Sequence, residues 1–266
     1  MTRVAETDLA EAERSIQKKD PHRTQGKSMN AASKVSAGDK SGPMKIVCLV
    51  GSPHGRRGNT ARLLDEVLRG AASRGAVAET VFLRGAEVRP CRGCDRCHIE
   101  GRCPQRDDFA AIRERIMAAD GLIMASPNYI NQVSAQLKAF IDRCCGVIHC
   151  LGFEGRYGAA VVTSGGGPEK MIADYLNQFH IMTGIHPVGA VHATMAEMPD
   201  GEFTEAVRRR AFHLGRRLVG AWKTGARYPW VERRMAAFHA RMAALIAYRR
   251  QQWPFEYDWW QKHRGL

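Results

Sequence analysis

A chain of 266 residues with 44% hydrophobic and 25% charged residues is long enough for one large core and too apolar to be wholly disordered. Its formal charge of +13 would suit a nucleic-acid binder, but residues 205–266 hold 14 Lys+Arg against 4 Asp+Glu, so the excess sits at the C-terminal end and the middle of the chain is close to neutral. No apolar run approaches the roughly 20 residues of a membrane span. The opening "MTRVAETDLAEAERSIQKKD" has neither the apolar stretch of a secretory signal nor the acid-poor composition of a transit peptide, which leads to an expectation of a cytoplasmic protein with no membrane role.

Residues 1–43 are rich in Ala, Ser, Lys and Gly and offer little to bury, so they read as a disordered tail. From Met44, "MKIVCLV" is a continuous apolar run, as expected of a strand covered on both faces of a parallel sheet. "TARLLDEVLRGAASRG" follows with a helical stripe at Leu63, Leu64, Val67, Leu68 and Ala71, and "AVAETVFL" reads as the next strand. "DDFAAIRERIMAA" opens a helix with Asp107 as the expected N-cap. Then "GLIMAS", "AQLKAFIDRCC", "YGAAVVTS", "PEKMIADYLNQFHIMTG" and "HPVGAVHA" alternate strand and helix. Five strands with helical crossovers predict an α/β, doubly wound parallel sheet. "EFTEAVRRRAFHLGRRLVGAWKTG" should close that domain over 44–225. Beyond it, 226–266 reads as a basic, aromatic helical extension with an apolar stripe at Val231, Met235, Phe238, Met242, Leu245 and Ile246.

Ligands of such sheets bind beyond the carboxyl ends of the strands, so the loops leaving the strands carry the functional signal. The first, "GSPHGRRGNT" (51–60), places Ser52, Gly58, Asn59 and Thr60 beside Arg56 and Arg57, where free N–H groups at a helix start favour a phosphate. It is neither a P-loop nor the dinucleotide fingerprint. The second, "SPNYINQVSAQLKAFIDR" (126–143), sets Ser126, Pro127, Asn128 and Tyr129 directly after a strand, with a rigid turn, an amide and an aromatic face. In the third, "TSGGGPEK" (163–170), Thr163 is followed by Gly165 and Gly166, which let backbone approach a flat ligand.

A fourth stretch, "CRGCDRCHIEGRCPQRDD" (91–108), spaces Cys91, Cys94, Cys97 and Cys103 as C-x2-C-x2-C-x5-C. Thiolates this close can wrap one small inorganic core, and Pro104 echoes the ferredoxin run. Structural zinc usually takes two separated C-x2-C pairs, and packed or redox-active thiols are the remaining reading. Cys48 and the Cys144, Cys145 pair read as packed thiols. The ten histidines show no metal spacing of the H-E-x-x-H kind and are assigned no metal.

Taken together, these loops resemble the flavodoxin-like NAD(P)H-dependent FMN reductase family, in the branch that includes the iron–sulfur flavoproteins. The resemblance covers about Met44 to Met195, and the ending "YDWWQKHRGL" also looks like that of longer members. It implies strand order 2-1-3-4-5 and FMN across the carboxyl edge. Ser52, Gly58, Asn59 and Thr60 would hold the phosphate; Ser126, Pro127, Asn128, Tyr129, Thr163, Gly165 and Gly166 would border the isoalloxazine. No catalytic acid or base is required, because the flavin does the chemistry. Cys91, Cys94, Cys97 and Cys103 fit the branch's motif for a [4Fe-4S] cluster, with zinc and plain thiols still open.

The function expected is an FMN-dependent oxidoreductase passing hydride from NAD(P)H to a small acceptor or redox carrier. The alternatives are an iron–sulfur flavoprotein moving single electrons, and a non-enzymatic flavin- or zinc-containing regulator whose basic tail binds DNA. The apolar stripe of the extension needs a partner surface, which favours packing over nucleic-acid binding and suggests a homodimer or higher homo-oligomer.

Overall fold

The computed structural model describes residues 42–266. The tail expected over 1–43 therefore lies outside the described residues except for its last two. Five strands, β1 (Lys45–Val50), β2 (Val77–Phe82), β3 (Gly121–Pro127), β4 (Tyr157–Ser164) and β5 (His186–Thr194), form one sheet in the order β2-β1-β3-β4-β5. Every pairing is parallel; Val47, for example, stands between Glu79 and Leu122. The central strands have no wet face, which is why β4 is buried at all eight positions and reads as an unbroken apolar run.

Alternate residues of each strand face opposite layers. Ile46, Cys48 and Val50 of β1, with Ile123 and Ala125 of β3, meet Leu63, Leu64 and Val67 of α1 (Asn59–Ala72) and Val207, Ala211, Leu214 and Leu218 of α7 (Glu205–Thr224). Val47, Leu49, Leu122 and Met124 face the other layer. That layer is built from α3 (Phe109–Ala118), α4 (Ala135–Asp142) and α6 (Glu169–Met182), through Phe109, Ile116, Leu137, Phe140, Leu176 and Phe179. Helices α1 and α7 touch backbone to backbone: a Cβ on Gly70 would lie 1.9 Å from the Phe212 carbonyl oxygen, and one on Gly215 as close to that of Val67.

Two expectations change in detail. Asp107 does not occupy the N-cap of α3, which is Asp108; its carboxylate accepts from the Phe109 N–H and is held bidentately by Arg143, at 2.7 and 3.1 Å. The segment 135–145 is not one helix either. It breaks at Arg143 and Cys144 into α4 and the short α5 (Cys145–His149).

The extension forms α8 (Pro229–Tyr248) and α9 (Pro254–Arg264), both with proline in the first turn. Its stripe packs within the chain. Val231 and Met235 lie on Ile181 of α6, while Met242 and Ile246 join Leu151 and Trp260, with Phe238 and Leu245 at the edge. The apolar partner that suggested a second subunit is thus supplied by the chain itself. No helix among the described residues is long and apolar enough to cross a membrane.

Candidate functional site at the carboxyl edge of the sheet

The turns leaving β1, β3 and β4 meet over the carboxyl edge and are tied side chain to side chain. The hydroxyls of Thr60 and Thr163 are 2.6 Å apart. The Asn128 amide nitrogen donates to Ser164 Oγ at 3.1 Å and to the Gly167 carbonyl at 3.0 Å, and its backbone N–H to the Thr163 carbonyl at 2.7 Å. Between these ties lies a cleft of about 240 Å³ lined by Ser52, Asn59, Thr60, Pro127, Asn128, Tyr129, Thr163 and Gly165, and closed on the β5 side by Met195 and Met198.

The cleft has the chemistry of an anionic, planar ligand's site. Helix α1 starts at its floor, and its N-cap, Gly58, provides no side chain to satisfy the first N–H groups, which leaves them for an anion. A side chain at Gly58 would strike Ser52 Oγ at 2.7 Å. The Asn128 amide oxygen is buried and without a hydrogen-bond partner among the described residues, a costly state unless a ligand donates to it. Gly165 and Gly166 have open space where a Cβ would stand. Tyr129 is half exposed at the rim, on a turn carried by Ile130 and Asn131 at φ of 49° and 60°.

Ser126 is placed differently. It is fully buried, accepts from the Ser134 N–H at 3.0 Å and donates to the Pro127 carbonyl, so it shapes the second loop from beneath. Ser134 in turn caps α4 through the Leu137 N–H.

The cysteine loop lines a cavity that shares no residue with this cleft. The Asp107–Arg143 pair anchors the loop: both side chains are out of contact with solvent, the Arg89 N–H donates to Asp107, and Arg143 donates to the Arg89 carbonyl. Burial opposes ionisation of Asp107, yet the bonds from Arg143, Arg89 and Phe109 hold its carboxyl below the usual carboxylate range. Cys97, in α2 (Arg96–Glu100), and Cys103 line one cavity of about 190 Å³ together with Arg143 and Cys150. Cys91 and Cys94 are exposed, and Cys91 Sγ accepts a bond from the Gly93 N–H. Four thiols on one short loop, two facing a shared cavity and one already receiving an N–H, are a donor set that suits a cubane cluster.

His98 and His149 converge with Cys145, and these three are the group of metal-ligating side chains that comes together among the described residues. Sequence spacing missed them because His98 is far from the other two in the chain. The signal that was available is Cys145-x3-His149, one turn apart on one helical face. Burial works against ionisation of Cys145, but hydrogen bonds from His149 and His98 outweigh it and bring the thiol down to about 6. Cys48 and Cys144, by contrast, are buried and pushed far up by desolvation, which leaves them inert.

Comparison with known proteins places this arrangement. The profile of the NADPH-dependent FMN reductase family matches residues 44–199. An iron-sulfur flavoprotein of Archaeoglobus fulgidus is 33% identical over 182 residues, covering 68% of this chain and 81% of its own length. One of Methanocaldococcus jannaschii is 38% identical over 141 residues, covering 52% and 72%. In fold, the chain is similar to the solved structure of an NADH:FMN oxidoreductase, with a TM-score of 0.51 and 19% identity over 71% of this chain and 93% of that one. The chain belongs to the NADPH-dependent FMN reductase family.

Proposed function

We propose that the carboxyl-edge cleft holds FMN, with its phosphate at the start of α1 and its ring system between the second and third loops. In this reading the chain works as an FMN-dependent NAD(P)H oxidoreductase whose acceptor is a small oxidant or a redox carrier. FMN, when bound, supplies the redox chemistry, hydride in from the nicotinamide and electrons out to the acceptor. The chain's residues bind and orient. Ser52, Asn59, Thr60 and the free N–H groups of α1 receive the phosphate, Asn128 offers its amide to the ring edge, and Tyr129 covers a ring face. The carrying observation is the unpartnered Asn128 oxygen beside three loops already locked in place. Titration of flavin-free protein with FMN, followed by flavin fluorescence, should saturate at one FMN per chain, and Asn128→Ala should weaken binding about tenfold. Unchanged affinity in that variant would remove Asn128 from the site.

The four-cysteine loop supports a second element of the same function. Relatives named iron-sulfur flavoproteins, together with the donor set described above, favour a [4Fe-4S] cluster on Cys91, Cys94, Cys97 and Cys103. A cluster there would supply single-electron transfer, while the Asp107–Arg143 pair keeps the loop in place. Iron and acid-labile sulfide, measured after purification without oxygen, should come to about four each per chain. Both should be lost in Cys94→Ser with FMN retained; a flavin-replete protein without either would leave the thiols structural.

A further inference from the structure

Away from the cleft, α2, α5 and α9 meet at a buried polar cluster that neither the flavin reading nor the four-cysteine set uses. Glu256, on α9, is 0% exposed. One carboxylate oxygen accepts from His98 Nδ1 at 2.6 Å and the other from His149 Nδ1 at 2.9 Å. A carboxylate that accepts from both Nδ1–H groups orients both rings and leaves Nε2 as the remaining ligand atom, whose proton, shared with Cys145 in the metal-free chain, is released when a metal binds. Cys145 Sγ lies 3.8 Å from His149 Nε2, and the ligand atoms of His98, Cys145 and His149 are all within 4.8 Å of one another.

We propose that His98, Cys145 and His149 form a second metal site, sharing no ligand with the four-cysteine set although His98 follows Cys97 on the same loop, that takes a tetrahedral divalent ion of the Zn²⁺ class with its fourth position open. Two imidazoles and a thiolate are the donor types such an ion prefers. A tetrahedron with zinc–nitrogen and zinc–sulfur bonds of ordinary length sets its ligand atoms about 3.3–3.6 Å apart, so side-chain shifts of about 1 Å close this set. Glu256 is a positioning residue: a carboxylate behind a ligating histidine orients the ring and raises its basicity, and here one carboxylate serves both rings. Charge balances as well, since the thiolate and the carboxylate together match a divalent cation with both imidazoles neutral. The indole of Trp253 lies over His98 and His149, with centroids 4.6 and 5.0 Å away, and covers the site with an apolar lid. Trp260 donates from its indole nitrogen to the His149 carbonyl at 2.9 Å, which fixes α5 against α9.

Cobalt(II) is the probe, titrated into the full chain under reducing, oxygen-free conditions after chelator treatment. The expected result is one tightly bound Co²⁺ with a tetrahedral d–d spectrum and a thiolate-to-cobalt charge-transfer band. The band should persist in a Cys91→Ser, Cys94→Ser double variant, which disables the loop, and vanish when Cys145→Ser is added to that double variant. Glu256→Gln should bind 10–100-fold more weakly. A band that survives Cys145→Ser in the loop-disabled background, or one that is absent from that background with Cys145 intact, would overturn the proposal; no band in the unaltered chain would reduce the cluster to a structural tie. Because Glu256→Gln could loosen α9, a second readout uses the unaltered protein. Zn²⁺ should slow alkylation of Cys145, located by mass spectrometry, at least tenfold, and equal rates with and without Zn²⁺ would overturn the site.

Discussion

Thr60 and Thr163 tie the first and third loops, and Asn128 ties the second to the third, so the candidate flavin site depends on a few short side chains from distant parts of the chain. Thr163→Val keeps the shape and removes the hydroxyl. It should cost about 1 kcal/mol of stability through the lost bond and weaken FMN binding more than NAD(P)H-independent properties, as separate thermal and flavin titrations would reveal. Deeper in the core, His180 is fully buried, neither of its ring nitrogens has a hydrogen-bond partner among the described residues, and desolvation lowers it from 6.5 to about 3. Between those values the unfolded chain binds a proton that the native chain does not, so stability falls as pH drops through this window. At about 1.4 kcal/mol per unit the loss amounts to several kcal/mol, and His180→Leu should flatten the acid limb of a denaturation series run from pH 7 to pH 4. An unchanged acid limb would mean that His180 is solvated in the native state. Residue types announced the polar loops in the sequence, but not their hydrogen bonding: Ser126 and Asn128 are two positions apart, yet one is fully buried and satisfied beneath the loop and the other carries a buried oxygen with no partner among the described residues.

The periodicity of the chain made its strands and long helices legible, because a strand buried on both faces and an amphipathic helix write different repeats. The short pieces were not legible. Helix α5 holds a single turn, from Cys145 to His149, too short to show a stripe, and α9 hides its one inward carboxylate among aromatic and basic residues that suggested a surface. Glycine set a further limit, since its small size matters only when the opposing backbone is known. Gly70→Ala should separate α1 from α7, because its Cβ would sit 1.9 Å from the Phe212 carbonyl oxygen. A loss of about 1–3 kcal/mol is expected in chemical denaturation; a neutral result would show that the two helices slide freely. Gly101 has the same role for α9: a Cβ there would lie 2.3 Å from the Phe255 ring, and its φ of 72° suits glycine. Gly101→Ala should therefore loosen α9, which limited proteolysis would register as earlier cleavage beyond residue 250.

At the scale of the molecule, the chain couples a flavodoxin-like sheet with its ligand edge to a basic C-terminal extension that folds back on the same domain. Its apolar stripe packs against α6 and α9, and the positive charge of residues 205–266 includes Arg208 and Arg209 on α7 and Arg233 and Arg234 on α8, none of them buried. The overall architecture could be read from the order of strands and helices. The cis packing of the extension could not, because an apolar stripe states that it needs a partner without stating which one. Whether the carboxyl-edge cleft makes this chain a flavin-dependent oxidoreductase is tested by mixing the FMN-loaded protein with NADPH, and separately with NADH, in the absence of oxygen. At least one of the two should bleach the oxidised flavin absorbance fully and stoichiometrically, and Asn128→Ala should bind less flavin under the same conditions. A protein that takes up no FMN, or whose bound FMN neither nucleotide reduces, would contradict this function.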